Sequence, residues 1–149
     1  MIIKYVLVIA VLSTVLIHQN SSGGNDVPTI AIATLQEIRC MELNLHYEAR
    51  GEGFQGLLAV ANVTKNRVKS KLFPNTYCGV VSQPRQFSWY PFRKDIPVAD
   101  HIRKLAMQFV LHTKVHGDNT GGALFFHRSD LDPFDRRVVA KIGNHIFYR

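Results

Sequence analysis

Several residue types and patterns that mark particular protein classes are scarce in this sequence. It has two cysteines, one tryptophan and three methionines in 149 residues. No His-Glu-x-x-His pattern occurs, and neither cysteine lies near a pair of histidines, which argues against a zinc site. Lysines and arginines outnumber acidic residues by 18 to 11, but they form no dense block and no basic run interleaved with aromatics. We therefore predict no cofactor, no metal and no nucleic-acid partner.

The composition indicates one globular domain behind a short leader. Apolar residues make up 46% of the chain and charged residues 19%, as in folded proteins. Residues 5–17 are apolar except for Ser13 and Thr14, and a polar stretch follows. This run has the length of a signal-peptide core and is short for a membrane span. We predict that residues 1–24 are a signal peptide or inner-membrane anchor with its linker, and that residues 25–149 form an exported domain.

Cys40 and Cys78 fit an exported location, where a single disulfide is stable. Such a bond would close a loop around residues 48–52 and stabilise the fold by about 2–4 kcal/mol. Two buried free thiols are the alternative.

Hydrophobic periodicity predicts three helices, at residues 30–49, 54–68 and 98–112. On the first helix Leu35 falls on the buried arc, and Glu42 falls inside the same arc as a paired or snorkelling carboxylate. Residues 79–90 are predicted as short extended pieces or a hairpin. Residues 123–127 are predicted as a short strand or turn, and the tail from residue 138 as packed or paired rather than frayed.

Glu48 ends the first predicted helix, where an apolar run meets Gly51 and Gly53. A carboxyl group half buried against apolar side chains has its ionised form disfavoured, so its pKa rises. Such a group can stay protonated near neutral pH and donate a proton to a leaving oxygen. The alternative is a helix-ending carboxylate paired with Arg50.

A dense aromatic segment follows Pro84, with Phe87 and Trp89 beside Gln86 and Ser88. The face of an aromatic ring can cover the apolar face of a pyranose, so this segment is typical of a sugar-binding surface. Plain core packing is the alternative for Phe87.

Six segments, in order, resemble the SleB-like cell wall hydrolases, the family of the spore-cortex-lytic enzymes. They are CMELNLHYEARGE at 40–52, LAVANV with NRV at 58–68, FPNTYCGVV at 73–81, QFSW at 86–89, ALFFH at 123–127 and IGNHIFY at 142–148. The resemblance implies an α+β, mostly helical domain that is lysozyme-like or lytic-transglycosylase-like, with a small β element. It also implies that residues 25–149 are a monomeric, peptidoglycan-cleaving catalytic domain, periplasmic or facing the wall.

The resemblance implies that Glu48, the first glutamate of EARGE, is the catalytic acid. The predicted substrate-binding residues are Glu52, Gln86, Phe87, Ser88, Trp89, His127 and Tyr148. Glycoside cleavage commonly uses a second carboxylate, and Glu52 is the nearest candidate. In the other route Glu48 acts first as acid and then as base, and the 6-hydroxyl of muramic acid attacks to give a 1,6-anhydro product.

The chain departs from the family pattern at two places. Glu42 stands where many relatives carry a small residue, and His127 is followed by Arg128, Ser129 and Asp130 instead of a more aromatic segment.

The competing functions are a zinc-dependent N-acetylmuramoyl-L-alanine amidase and a non-catalytic wall-binding module. An amidase would draw its ligands from His46, His112, His127 and His145. As a glycan-cleaving enzyme, the protein would serve either phage lysis or bacterial wall remodelling.

Overall fold

The computed structural model of the protein describes residues 26–112, 116–131 and 135–149. The leader predicted at residues 1–24 lies outside the described residues. None of the described helices is long and apolar enough to cross a membrane.

Four α-helices form most of the described chain: α1 (Asp26–Ala49), α2 (Phe54–Lys69), α3 (Tyr77–Ser82) and α4 (Asp100–Val110). The three long ones confirm the helices predicted from periodicity. Their apolar stripes meet in one core, because each stripe recurs on one face of its helix. The core includes Met41, Leu45, Leu57, Val60, Ile102, Leu105 and Phe109. A 3-10 turn, Tyr90–Phe92, lies between α3 and α4.

Three short antiparallel strands follow: β1 (Phe125–Arg128), β2 (Val138–Ile142) and β3 (His145–Tyr148), in the order β1-β3-β2. Phe147 on the central strand is fully buried and packs in a cluster with Ala59 and Val63 of α2. The sheet therefore lies against α2. The turn joining β2 and β3 is placed at the end of α1, beside Glu52.

Two local predictions were wrong. Residues 79–90 do not form extended pieces, since α3 covers the first part and turns cover the rest. Thr76 begins α3 because its side chain accepts a hydrogen bond from the Gly79 amide at 2.9 Å, as an N-cap residue does. Leu35 is 65% exposed, whereas Thr34 and Glu37 in the same turn of α1 line a cavity with residues of α2 and α4, so the packed face of the helix at this turn is not the one that carries Leu35.

Two further expectations are confirmed. Glu42 is buried and paired, with its carboxylate 2.9 Å from Arg39 and 3.7 Å from Arg103. Cys40 and Cys78 form a disulfide, so the alternative of two free thiols does not apply. The disulfide links α1 to α3. The segment that follows α3 contains Trp89.

Candidate active site

Glu48 occupies the last turn of α1 and lines an open cavity of about 300 Å³. Helix α1 ends at the next residue, and the chain turns through Gly51 toward α2. The other lining residues are Tyr47, Arg50, Gly51, Glu52, Arg128, Asn144 and His145. They come from the end of α1, the turn after it, the end of β1 and the β2–β3 turn. The helix end and the sheet edge together form the cavity.

Trp89 holds the carboxyl group of Glu48 in a defined position. Its indole Nε1–H donates a hydrogen bond of 2.7 Å to Glu48 Oε1. The indole ring also stacks on Tyr47, with ring centres 4.6 Å apart and planes 13° apart. One face of the indole is therefore covered by Tyr47. The sugar stacking predicted for Trp89 can use only the part of the indole that remains exposed.

The environment of Glu48 raises its pKa. Burial is the largest cause, because it disfavours the charged carboxylate. The hydrogen bond from Trp89 and the positive charge of Arg67 oppose this rise without cancelling it. Glu48 is therefore a carboxyl group that keeps its proton to higher pH than an exposed one.

Arg67 is a buried cation that the sequence analysis left without a role. Its Nε donates to the Leu124 carbonyl at 2.7 Å, and burial lowers its pKa to about 10. Its Nη1 nitrogen is buried without a hydrogen-bond partner among the described residues. The guanidinium lies between 5.2 and 5.8 Å from three ring centres, those of Phe73, Phe87 and Phe125. The sequence did contain a signal for this burial, because Arg67 lies seven residues after Val60 on the buried stripe of α2.

Glu52 lines the same cavity but is tied to the β2–β3 turn. Its two oxygens accept hydrogen bonds from the Asn144 amide at 3.1 Å and the Asn144 side chain at 3.0 Å. Gly143 makes this close approach possible, since a Cβ there would lie 2.0 Å from Glu52 Oε2. His145 Nδ1 is 3.9 Å from Glu52 Oε1. The carboxylate thus anchors the hairpin at the edge of the cavity.

The other residues of the predicted aromatic surface lie in different environments. Gln86 and Ser88 are exposed on either side of Phe87. Phe87 is buried, and its ring lies 5.9 Å from that of Trp89. Core packing, the alternative raised for Phe87, describes this position.

His127 and Tyr148 lie inside the domain. They occupy paired strands, are both buried, and hydrogen-bond to each other through His127 Nε2 and the Tyr148 hydroxyl. Their rings stack with centres 5.1 Å apart. Because Tyr148 has no exposed surface, its burial does not fit its predicted role as a substrate-binding residue.

The histidines considered as zinc ligands are dispersed. His46 Nε2 is hydrogen-bonded to Arg50 at 2.9 Å, His127 contacts Tyr148, and His112 is exposed. Across residues 26–112, 116–131 and 135–149, no group of three or more histidine, cysteine or acidic side chains is placed to hold a metal ion.

Comparisons with known sequences give a consistent family. The sequence profile of the family described as Cell Wall Hydrolase matches residues 51–148. The chain is 36% identical over 115 residues to the spore cortex-lytic enzyme of Bacillus cereus, covering 74% of this chain and 43% of that protein. It is 34% identical over 150 residues to the enzyme of the same description from Oceanobacillus iheyensis, covering 87% and 51%. The chain thus spans about half or less of the length of these relatives.

Solved structures agree with the sequence comparison. The catalytic domain of the Bacillus cereus SleB protein superposes with a TM-score of 0.67 at 32% identity, covering 77% of this chain and 91% of that one. The catalytic domain of the germination-specific lytic transglycosylase SleB from Bacillus anthracis gives a TM-score of 0.64 at 33% identity, covering 76% and 93%. The predicted fold class, mostly helical α+β and lysozyme-like with a small sheet, is confirmed. The family profile begins after Glu48, so the role of Glu48 has to be argued from its geometry.

Proposed function

The chain belongs to the cell wall hydrolase family, and we propose that it cleaves peptidoglycan glycan strands between N-acetylmuramic acid and N-acetylglucosamine. One solved relative of the domain is described as a lytic transglycosylase, which supports this bond as the target. The observation that carries the proposal is the state of Glu48. It is a carboxyl group that lines an open cavity and has a pKa raised by burial.

In the proposed first step, Glu48 donates its proton to the glycosidic oxygen as the bond from that oxygen to C1 of the muramic ring breaks, and the N-acetylglucosamine leaves with a free 4-hydroxyl. Oε1 accepts the hydrogen bond from Trp89, and the described residues provide no hydrogen bond to Oε2. Oε2 is therefore the oxygen that carries the proton toward the substrate. As the proton leaves, negative charge develops on the carboxylate, and both the Trp89 N–H and the charge of Arg67 stabilise it.

In the proposed second step, the Glu48 carboxylate acts as a base. It takes the proton of the muramic acid 6-hydroxyl while that oxygen bonds to C1, which gives a 1,6-anhydro product. One carboxyl group is enough for this route. Glu52 is assigned a supporting role, because Asn144 engages both of its oxygens. Water entering in place of the 6-hydroxyl would instead leave a reducing end.

The proposed substrate places the domain outside the inner membrane, in the periplasm or facing the wall. Residues 1–24 would either be removed on export or tether the domain to the membrane. The formal charge of +7 favours approach to an anionic wall. The domain is proposed to act as a monomer, in phage lysis or in bacterial wall remodelling.

Glu48→Gln tests the catalytic assignment on purified sacculi, with the products identified by mass spectrometry. Glutamine keeps the shape and an acceptor for Trp89 but cannot give the proton, so the rate should fall by about 10²- to 10⁴-fold. Asp100→Asn is the matched control, since it removes an exposed carboxylate on α4. We expect anhydro-muropeptides from the wild type. Full activity of Glu48→Gln would reject the acid role, and release of free stem peptides would favour an amidase.

A further inference from the structure

Two arginines border the cavity that contains Glu48. Arg50 belongs to the turn after α1, and Arg128 ends β1. The Arg128 side chain is 70% exposed, and its described ion pair is with Asp130, at 2.8 Å, whose side chain is 59% exposed. An ion pair so open to water contributes little stability. A carboxylate from a ligand can therefore replace Asp130 at small cost.

Arg50 also keeps its charge available to a ligand. Its Nη1 contacts His46 Nε2 at 2.9 Å. Burial, together with the charges of Arg50 and Arg39, lowers the pKa of His46, so the neutral ring accepts this hydrogen bond. The described residues place no carboxylate within ion-pair distance of Arg50. Both guanidinium groups are thus exposed cations beside Glu48, the proposed proton donor for glycan cleavage.

We propose that Arg50 and Arg128 form a carboxylate-binding rim that selects muramic acid residues with an anionic substituent. The inference rests on the proposed function. In peptidoglycan the stem peptide is attached through the lactyl group of the muramic ring, and this ring's C1–O bond is the one broken. The peptide carries free carboxylates, which a guanidinium binds through paired N–H groups. The sugar ring itself is neutral and offers no such partner.

Arg128 is the arginine whose contribution can be isolated. Its described ion pair is with the exposed Asp130, whereas Arg50 lies two residues from Glu48 and is hydrogen-bonded to His46. When a strand without carboxylates binds, Arg128 stays on Asp130. When an anionic strand binds, Arg128 exchanges Asp130 for the substrate.

The test compares Arg128→Ala and wild type on three preparations of glycan strands. The first bears intact stem peptides. The second has lost them to an amidase, which leaves the lactyl carboxylates. The third bears peptides whose carboxyl groups have been converted to neutral amides. Arg137→Ala is the matched control, because it removes another exposed arginine that does not line the cavity.

We expect Arg128→Ala to lose about tenfold more in kcat/KM on peptide-bearing strands than on the neutralised ones, mainly through KM. Arg128→Lys should lie between, since it keeps the charge but not the paired N–H groups. An equal loss on stripped strands would show that the rim accepts either anion, the stem-peptide carboxylate or the lactyl carboxylate that the amidase frees, and no loss there would restrict it to the stem peptide. The same loss of kcat/KM on all three preparations, or no loss on any of them, would overturn the proposal of a carboxylate-binding rim. A wild type that cleaves no preparation would overturn the proposed function with it.

Discussion

Replacing Trp89 by phenylalanine tests how the structure controls Glu48. The change keeps an aromatic ring to stack on Tyr47. It removes the pyrrole part of the indole and, with it, the N–H that donates to Glu48 Oε1 at 2.7 Å. The carboxyl group of Glu48 is retained, so the variant changes the environment of the proposed proton donor without removing the proton donor itself.

The expected size of the effect follows from the change of charge during the reaction. A hydrogen bond to a neutral acceptor contributes about 1 kcal/mol, and one to a charged acceptor about 1.5–3 kcal/mol. The Trp89 contact strengthens as Glu48 loses its proton, so roughly 0.5–2 kcal/mol acts only in the transition state. We expect Trp89→Phe to lower kcat by about 2- to 30-fold, with KM little changed.

The pH profile gives a second readout. Burial raises the pKa of Glu48 and the Trp89 hydrogen bond opposes that rise, so the variant's Glu48 should have a still higher pKa. A general acid works while it is protonated, and activity falls as pH rises through its pKa. The alkaline limb of the variant should therefore lie at higher pH than that of the wild type.

The assay is the initial rate of muropeptide release from sacculi, measured across this limb, with circular dichroism to verify the fold. In a Glu48→Gln background, Trp89→Phe should have little further effect, because the charge that the N–H stabilises no longer forms. A folded Trp89→Phe variant with an unchanged kcat and an unchanged alkaline limb would refute the reasoning.

Two further predictions concern stability. Replacing both Cys40 and Cys78 by serine should lower the free energy of unfolding by about 4 kcal/mol, because the disulfide closes a loop with a sequence separation of 38. Urea unfolding curves identical to those of the oxidised wild type would contradict this prediction. Gly143→Ala should cost about 1–3 kcal/mol, since φ is +57° and the new Cβ would lie 2.0 Å from Glu52 Oε2. Gly51→Ala is its control, with nothing within 4 Å, and an equal loss there would reject the steric explanation.

The long helices could be predicted from the sequence because their signal is local. Apolar residues recur at helical spacing in α2 and α4, and glycines follow the end of α1. The same reasoning predicts Leu35 to be buried, because periodicity marks an apolar face of a helix but not which residues at its edge meet the neighbouring helices. Only the tertiary structure shows that Thr34 and Glu37 line a cavity with α2 and α4 while Leu35 is exposed.

The segment after Pro74 could not be predicted correctly from propensity alone. Val80 and Val81 favour a strand, since β-branched residues pack well on a pleated surface. In the structure they are buried in α3, which Thr76 caps and the Cys40–Cys78 bond holds against α1. Tertiary contacts therefore outweighed a weak local preference.

The position of Glu48 was predictable, but the groups that act on it were not. A helix end before glycines is visible in the sequence, whereas the Trp89 contact joins residues 41 positions apart. The density of aromatics beside Gln86 and Ser88 predicts sugar stacking for Trp89, and nothing local in the sequence indicates its hydrogen bond to Glu48. The tie between Glu52 and Asn144 spans 92 positions and leaves no local pattern at all.

Burial and charge act on Glu48 in opposite directions, and the balance suits an acid that becomes a base. Burial alone would keep the proton but would also make the carboxylate costly to form. Arg67 limits this cost because its charge is fixed inside the domain by the Leu124 carbonyl and three aromatic rings. With a pKa of about 10 it remains protonated at neutral pH. Since these groups are in place before the proton moves, little reorganisation is needed as the charge develops.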